Sequence, residues 1–88
     1  MQINGRVDSS YNTPYAMVTF KIADLKNSGF TQFRVTGNQG MYYRIDSGGY
    51  NYPSLGTWID IPNSGTNISI CYYTYGSKDT GQGTLQFM

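Results

Sequence analysis

The chain has 88 residues, eleven of them Gly, and carries three Lys, three Arg, five Asp, no Glu and no His, for a net charge of +1. This size points to one domain, residues 1–88, able to bury about 60% of the surface its unfolded form exposes, and the weak charge gives little steering of an anionic partner. Without histidine there is no Ser-His-Asp or Cys-His arrangement, no histidine metal ligand and no ordinary acid or base titrating near neutrality, and the single Cys71 excludes an internal disulfide.

Helical signal is sparse: Ala occurs only at Ala16 and Ala23, and Gly or Pro interrupts nearly every window of a dozen residues. Alternation of apolar and polar residues recurs instead. Ile3, Gly5 and Val7 alternate with Asn4 and Arg6 in a first strand. After the turn residues Asp8 to Pro14, the set Ala16, Val18, Phe20 and Ile22 alternates with Met17, Thr19, Lys21 and Ala23. Asn27-Ser28-Gly29 is a turn signal, and Phe33 and Val35 then alternate with Gln32, Arg34 and Thr36.

Gly37-Asn38-Gln39-Gly40 turns the chain into Met41 to Asp46, where Tyr43 and Ile45 share one face and Tyr42, Arg44 and Asp46 the other. A long connection, Ser47 to Trp58, follows with the sequence SGGYNYPSLGTW. Ile59 and Ile61 alternate with Trp58 and Asp60, and Pro62-Asn63-Ser64-Gly65 ends that strand. Ile68, Ile70 and Tyr72 face opposite to Ser69, Cys71 and Tyr73, and beyond a polar turn from Gly76 to Gly83 the pair Leu85 and Phe87 closes the chain.

Seven short strands about ten residues apart, divided by Gly, Pro and Asn turns, predict an all-β fold: a two-sheet antiparallel β-sandwich, with a jelly roll or small barrel as the alternative. Two facing sheets would enclose Val18, Phe20, Ile22, Phe33, Val35, Ile45, Ile59, Ile61, Ile68, Ile70, Leu85 and Phe87. In this register Tyr42, Trp58, Tyr73 and Tyr75 face outward, and Tyr50 and Tyr52 sit in the long connection.

Tyr43-Arg44-Ile45-Asp46-Ser47-Gly48-Gly49, followed by Trp58 and by Gly65-Thr66-Asn67-Ile68-Ser69-Ile70, covers about a third of the chain. It resembles the Y-x-I-D-G-G … W … G-T pattern of immunoglobulin-like modules in bacterial surface adhesins and phage virion proteins. The pattern is structural in those modules, so the resemblance implies an immunoglobulin-like sandwich and lends no catalytic or binding residue. Tyr50 to Thr57 are an insertion relative to it.

Other candidate chemistry reads as structure. Asp46-Ser47-Gly48-Gly49 offers the start of a calcium loop, but no second acidic residue follows within it, so a turn is expected and no metal or cofactor. Asp46 and Asp60 are expected as outward-facing aspartates on neighbouring strands rather than as an acid–base pair. Cys71 reads as an inert small residue, and the glycosylation sequon Asn67-Ile68-Ser69 lies within a strand.

The aromatic surplus of nine Tyr and one Trp carries the functional expectation. Tyr and Trp combine large contact area with a polar tip and few rotors, which suits a protein interface, and a nearly neutral surface suits close packing of identical copies. The leading expectation is a non-enzymatic structural or interaction protein: a capsid accessory, decoration or fibre component of a phage or virus particle, contacting itself or other virion proteins. As an alternative, Tyr50, Tyr52 and Trp58 form a stacking platform for a glycan, with Asn51, Asp46 and Asp60 binding hydroxyls; the candidate surface thus comprises Tyr42, Tyr50, Asn51, Tyr52, Trp58, Asp60, Tyr73 and Tyr75. Stacking on single-stranded nucleic acid is the third reading, disfavoured because Arg6, Lys21, Lys26, Arg34, Arg44 and Lys78 are scattered and balanced by five Asp.

Met1-Gln2-Ile3-Asn4-Gly5-Arg6 lacks the basic start and apolar run of a signal peptide, and no stretch approaches the roughly 20 apolar residues of a membrane-spanning helix. The expectation is a complete small gene product without membrane contact, found in the virion or the cytoplasm of the producing cell.

Overall fold

Among the described residues seven strands and one short helix follow one another: β1 (Gln2–Arg6), β2 (Tyr15–Lys21), α1 (Ile22–Asn27), β3 (Gln32–Gly37), β4 (Gly40–Ile45), β5 (Ile59–Asp60), β6 (Asn67–Tyr73) and β7 (Thr80–Phe87). The computed structural model describes the backbone of residues 2–6, 15–37, 40–73 and 80–88, and the side chains of 17–37, 40–73 and 83–88. Val7, the expected turn from Asp8 to Pro14, the middle of the Gly37–Gly40 turn (residues 38–39), and residues 74–79, which include the start of the Gly76–Gly83 turn, lie outside the described residues.

The strands form two antiparallel sheets, in the orders β1-β7-β3-β5 and β2-β6-β4. The pairs β1 with β7, β2 with β6 and β3 with β5 match each strand with its counterpart counted from the other end of the chain. The chain is thus a long hairpin, doubled back near β4 and wound across both sheets. An immunoglobulin-like order keeps the first two strands side by side in one sheet; here β1 and β2 lie in different sheets.

One core lies between residues of both sheets. Phe33, Val35 and Leu85 come from the four-stranded sheet, Met41, Ile68, Ile70 and Tyr72 from the three-stranded one, and Ile22, Leu25 and Ile61 complete the cluster. Alternation explains the choice: on β3, Phe33 and Val35 are fully buried while Gln32, Arg34 and Thr36 point the other way. Each large apolar side chain so enclosed stabilises the fold by roughly 1.5–3 kcal/mol. Val18, Phe20, Ile45, Ile59 and Phe87, also expected inside, pack against this cluster partly buried.

Four local expectations change. The second strand ends at Lys21, and Ile22 enters α1 instead. Ile22 and Leu25, three apart and so on one helical face, are both buried, and the Ile22 N–H donates to the Thr66 carbonyl at 2.9 Å. Gly29, with φ +88°, closes the helix in a conformation that needs no Cβ. The fourth strand stops at Ile45, because Asp46 takes φ +49°. The fifth is only Ile59–Asp60, with Trp58 before it.

The last strand begins at Thr80 rather than beyond Gly83. Gly81 and Gly83 pair with Gly5 and Ile3 across β1. Gly83 is required there by packing, since a Cβ on it would come within 2.6 Å of the buried Tyr72 ring.

Candidate functional site

The outer face of the three-stranded sheet carries the aromatic cluster. Its cross-strand rows are set by register: Met17 and Tyr42 flank Cys71, Thr19 and Arg44 flank Ser69, and Gly40 faces Tyr73. Thr19 Oγ1 and Ser69 Oγ share a hydrogen bond of 3.0 Å, tying β2 to β6 on this face.

Tyr42 is the hub. Its ring meets Tyr50 edge-on at a centroid distance of 5.0 Å, and Tyr52 and Tyr73 in tilted contacts at 5.7 and 5.9 Å. Arg44 fixes Tyr50 further: its guanidinium carbon lies 4.8 Å from the ring centroid, and Nη1 donates to the Tyr50 hydroxyl at 3.1 Å. Tyr50 and Tyr52 nevertheless stay 52% and 65% exposed, and Met17, on β2 of the same sheet, 45%.

The backbone brings the loop rings to this place in three steps. The Gly48 N–H donates to the Ile45 carbonyl at 2.9 Å, closing a turn. Asn51 then pairs with Tyr43 in an antiparallel bridge, N–H to carbonyl in both directions at 3.0 and 2.8 Å, so the loop adds one residue to the edge of β4. Finally the Gly56 N–H donates to the Val35 carbonyl at 2.8 Å, with Leu55 packed on the core, so the loop crosses from β4 of one sheet to β3 of the other.

That crossing separates residues expected together. Trp58 lies beneath the Arg34 guanidinium, 4.6 Å from carbon to ring centroid, and Arg34 points outward from the four-stranded sheet, where its Nε donates to Gln86 Oε1. Asp60 is on that same sheet and accepts from Gln32 Nε2 at 2.9 Å. The expected platform of Tyr50, Tyr52 and Trp58 therefore does not form: the two tyrosines belong to the Tyr42 cluster on one sheet, and Trp58 and Asp60 to the polar outer face of the other. Asp46 and Asp60 are likewise not on neighbouring strands, since β4 and β5 lie in different sheets. Tyr75 falls outside the described residues.

Asp46 acts as a local clasp. Its carboxylate accepts from the N–H groups of Thr66 and Asn67 at 3.0 and 2.9 Å, while its own N–H donates to the Asn67 carbonyl at 2.9 Å. The amide of Asn67, then that of Thr66, holds its carboxyl below the usual aspartate range. Cys71, although on the outward side of β6, is buried with no exposure. Burial pushes its thiol up, opposed by a hydrogen bond with the Tyr42 side chain. Among the described residues no three His, Cys, Asp or Glu side chains converge.

Beside the cluster opens a cleft of about 330 Å³, its walls including Gly40 and Met41 of β4, Tyr52, Pro53, Ser54 and Leu55 of the loop, and Tyr73 of β6. Sequence reasoning singled out Tyr52 and Tyr73 but not Gly40, whose signal is a glycine directly opposite an aromatic residue on the next strand. A Cβ there would approach the Tyr73 ring to 2.5 Å. Comparison with known proteins finds no matching family model, no matching curated protein and no matching solved structure.

Proposed function

We propose that this protein is a non-enzymatic structural protein of a phage or virus particle, and that it assembles with further copies of itself through the tyrosine face of the three-stranded sheet. The observation that carries this reading is the state of Tyr50 and Tyr52: both rings are held against Tyr42, yet both are more than half exposed. Rings held in place before contact lose little freedom on binding, and Tyr, Met and Arg are the residue types enriched at interface centres. Met17, Tyr42, Arg44, Tyr50, Tyr52 and Tyr73 supply that composition with one cation and no carboxylate.

The doubled-back strand order gives fold-level support by analogy only, since jelly rolls serve both viral capsids and lectins. The test is made on particles of the virus or phage that encodes the chain. Mass spectrometry of purified particles finds the wild-type protein, and finds much less of a Tyr50→Ser/Tyr52→Ser variant expressed at equal level. Particles free of the wild-type protein would refute the reading.

A further inference from the structure

The cleft bounded by Gly40, Tyr52, Ser54 and Tyr73 goes beyond this docking reading, and we propose that it is a binding site for one ring of a neutral sugar. Four features define the occupant. The volume of about 330 Å³ lies at the small end of ligand pockets, which run to about 1,000 Å³, so it has room for a single ring. Among the described residues no charged side chain lines the cleft, and a neutral, hydroxyl-bearing ligand gives up its hydration there at less cost than an ion.

The walls then combine two aromatic rings with hydroxyl groups. Tyrosine faces carry negative π density that attracts the polarised C–H face of a pyranose, and the Tyr52 and Ser54 hydroxyls can both donate to and accept from its ring-edge hydroxyls. A purely apolar ligand would leave those wall hydroxyls without exchange for the water it displaced. Lastly, the space depends on Gly40: any Cβ at that position would meet the Tyr73 ring at 2.5 Å and drive it from its seat. Pro53, locked in φ by its ring, follows Tyr52, whose ring is braced 5.7 Å from Tyr42, so the wall is built before a ligand arrives.

The experiment is an amide-resolved NMR titration with the methyl glycosides of glucose, galactose, mannose and N-acetylglucosamine. At least one of them shifts the amides of Gly40, Ser54 and Leu55 saturably, with a Kd on the order of 1–10 mM. Tyr52→Ala, a change at a 65% exposed side chain, weakens that binding about tenfold or more, one wall being lost. Gly40→Ala weakens it as well, through displacement of Tyr73. Trp58→Ala leaves it within about twofold, Trp58 being on the other sheet. The inference is overturned if none of the four glycosides moves those amides up to about 100 mM, or if binding survives both Tyr52→Ala and Gly40→Ala. Failure here is distinct from failure of the docking reading, because Tyr50→Ser alone removes an interface ring without touching the cleft lining.

Discussion

Tyr42 and Cys71 are direct cross-strand partners, and the Tyr42 side chain covers a thiol that has no exposure although it points to the outer face of its sheet. One ring thus serves as lid to a buried cysteine and as the base on which Tyr50 and Tyr52 rest.

Tyr42→Ala should therefore act in two places. Loss of the contacts to Tyr50 and Tyr52 destabilises the domain by about 1–3 kcal/mol in urea unfolding. The same substitution opens Cys71, so its reaction with a disulfide reagent becomes markedly faster than in the native wild type. Because burial raises the thiol's pKa in the folded state, the associated stability is full below the unfolded cysteine value of about 8.5 and is lost as pH rises through the folded one.

Asp46 sets the acid limb. Its carboxyl is held down by the Asn67 and Thr66 amides, so its contribution is present above the unfolded aspartate value of about 3.9 and is lost as pH falls through the lower folded value. Urea midpoints measured between about pH 5 and pH 2 should show a shallower decline for Asp46→Asn than for the wild type.

The two glycines under tyrosine rings should separate stability from binding. Gly83 faces the near atoms of the fully buried Tyr72 ring, which has nowhere to go, so Gly83→Ala costs about 1–3 kcal/mol through overpacking. At Gly40 the nearest atoms are the far end of Tyr73, which is only partly buried. Gly40→Ala should unfold at closer to wild-type denaturant while displacing the Tyr73 ring, seen as altered tyrosine side-chain resonances.

Trp58, the sole tryptophan, reports on the opposite sheet. Its emission should be unchanged by Tyr50→Ser or Tyr52→Ser, but should shift on Arg34→Leu, which removes the cation above the ring.

Where the chain alternates, the strands and their inward faces were legible before the fold was known: Phe33 and Val35, Ile68 and Ile70, and Leu85 all lie where period two puts them. The helix α1 was not, since Ile22 and Leu25 supply one pair at helical spacing, too little for a periodic signal. Gly81 and Gly83 read as turn because glycine is a poor strand residue; their strand exists through pairing with β1 and the Tyr72 ring above Gly83.

The candidate site was half legible for a related reason. Outward tyrosines follow from alternation, but which of them meet depends on strand order and on the path of the loop. Asn51 on Tyr43 and Gly56 on Val35 are bonds between residues on different elements, and they carry Tyr52 and Trp58 to opposite sheets. No local pattern encodes that division.

Assembly through the tyrosine face is tested most directly by sedimentation velocity on the wild type and on Tyr50→Ser/Tyr52→Ser, from about 10 µM to about 1 mM. The variant also loses the ring contacts to Tyr42, so both proteins are run well below their own thermal midpoints, where each is folded. The wild type should sediment progressively faster with concentration and the variant as a monomer throughout. A wild type that stays monomeric over the whole range, or a folded variant that associates equally well, would contradict the account.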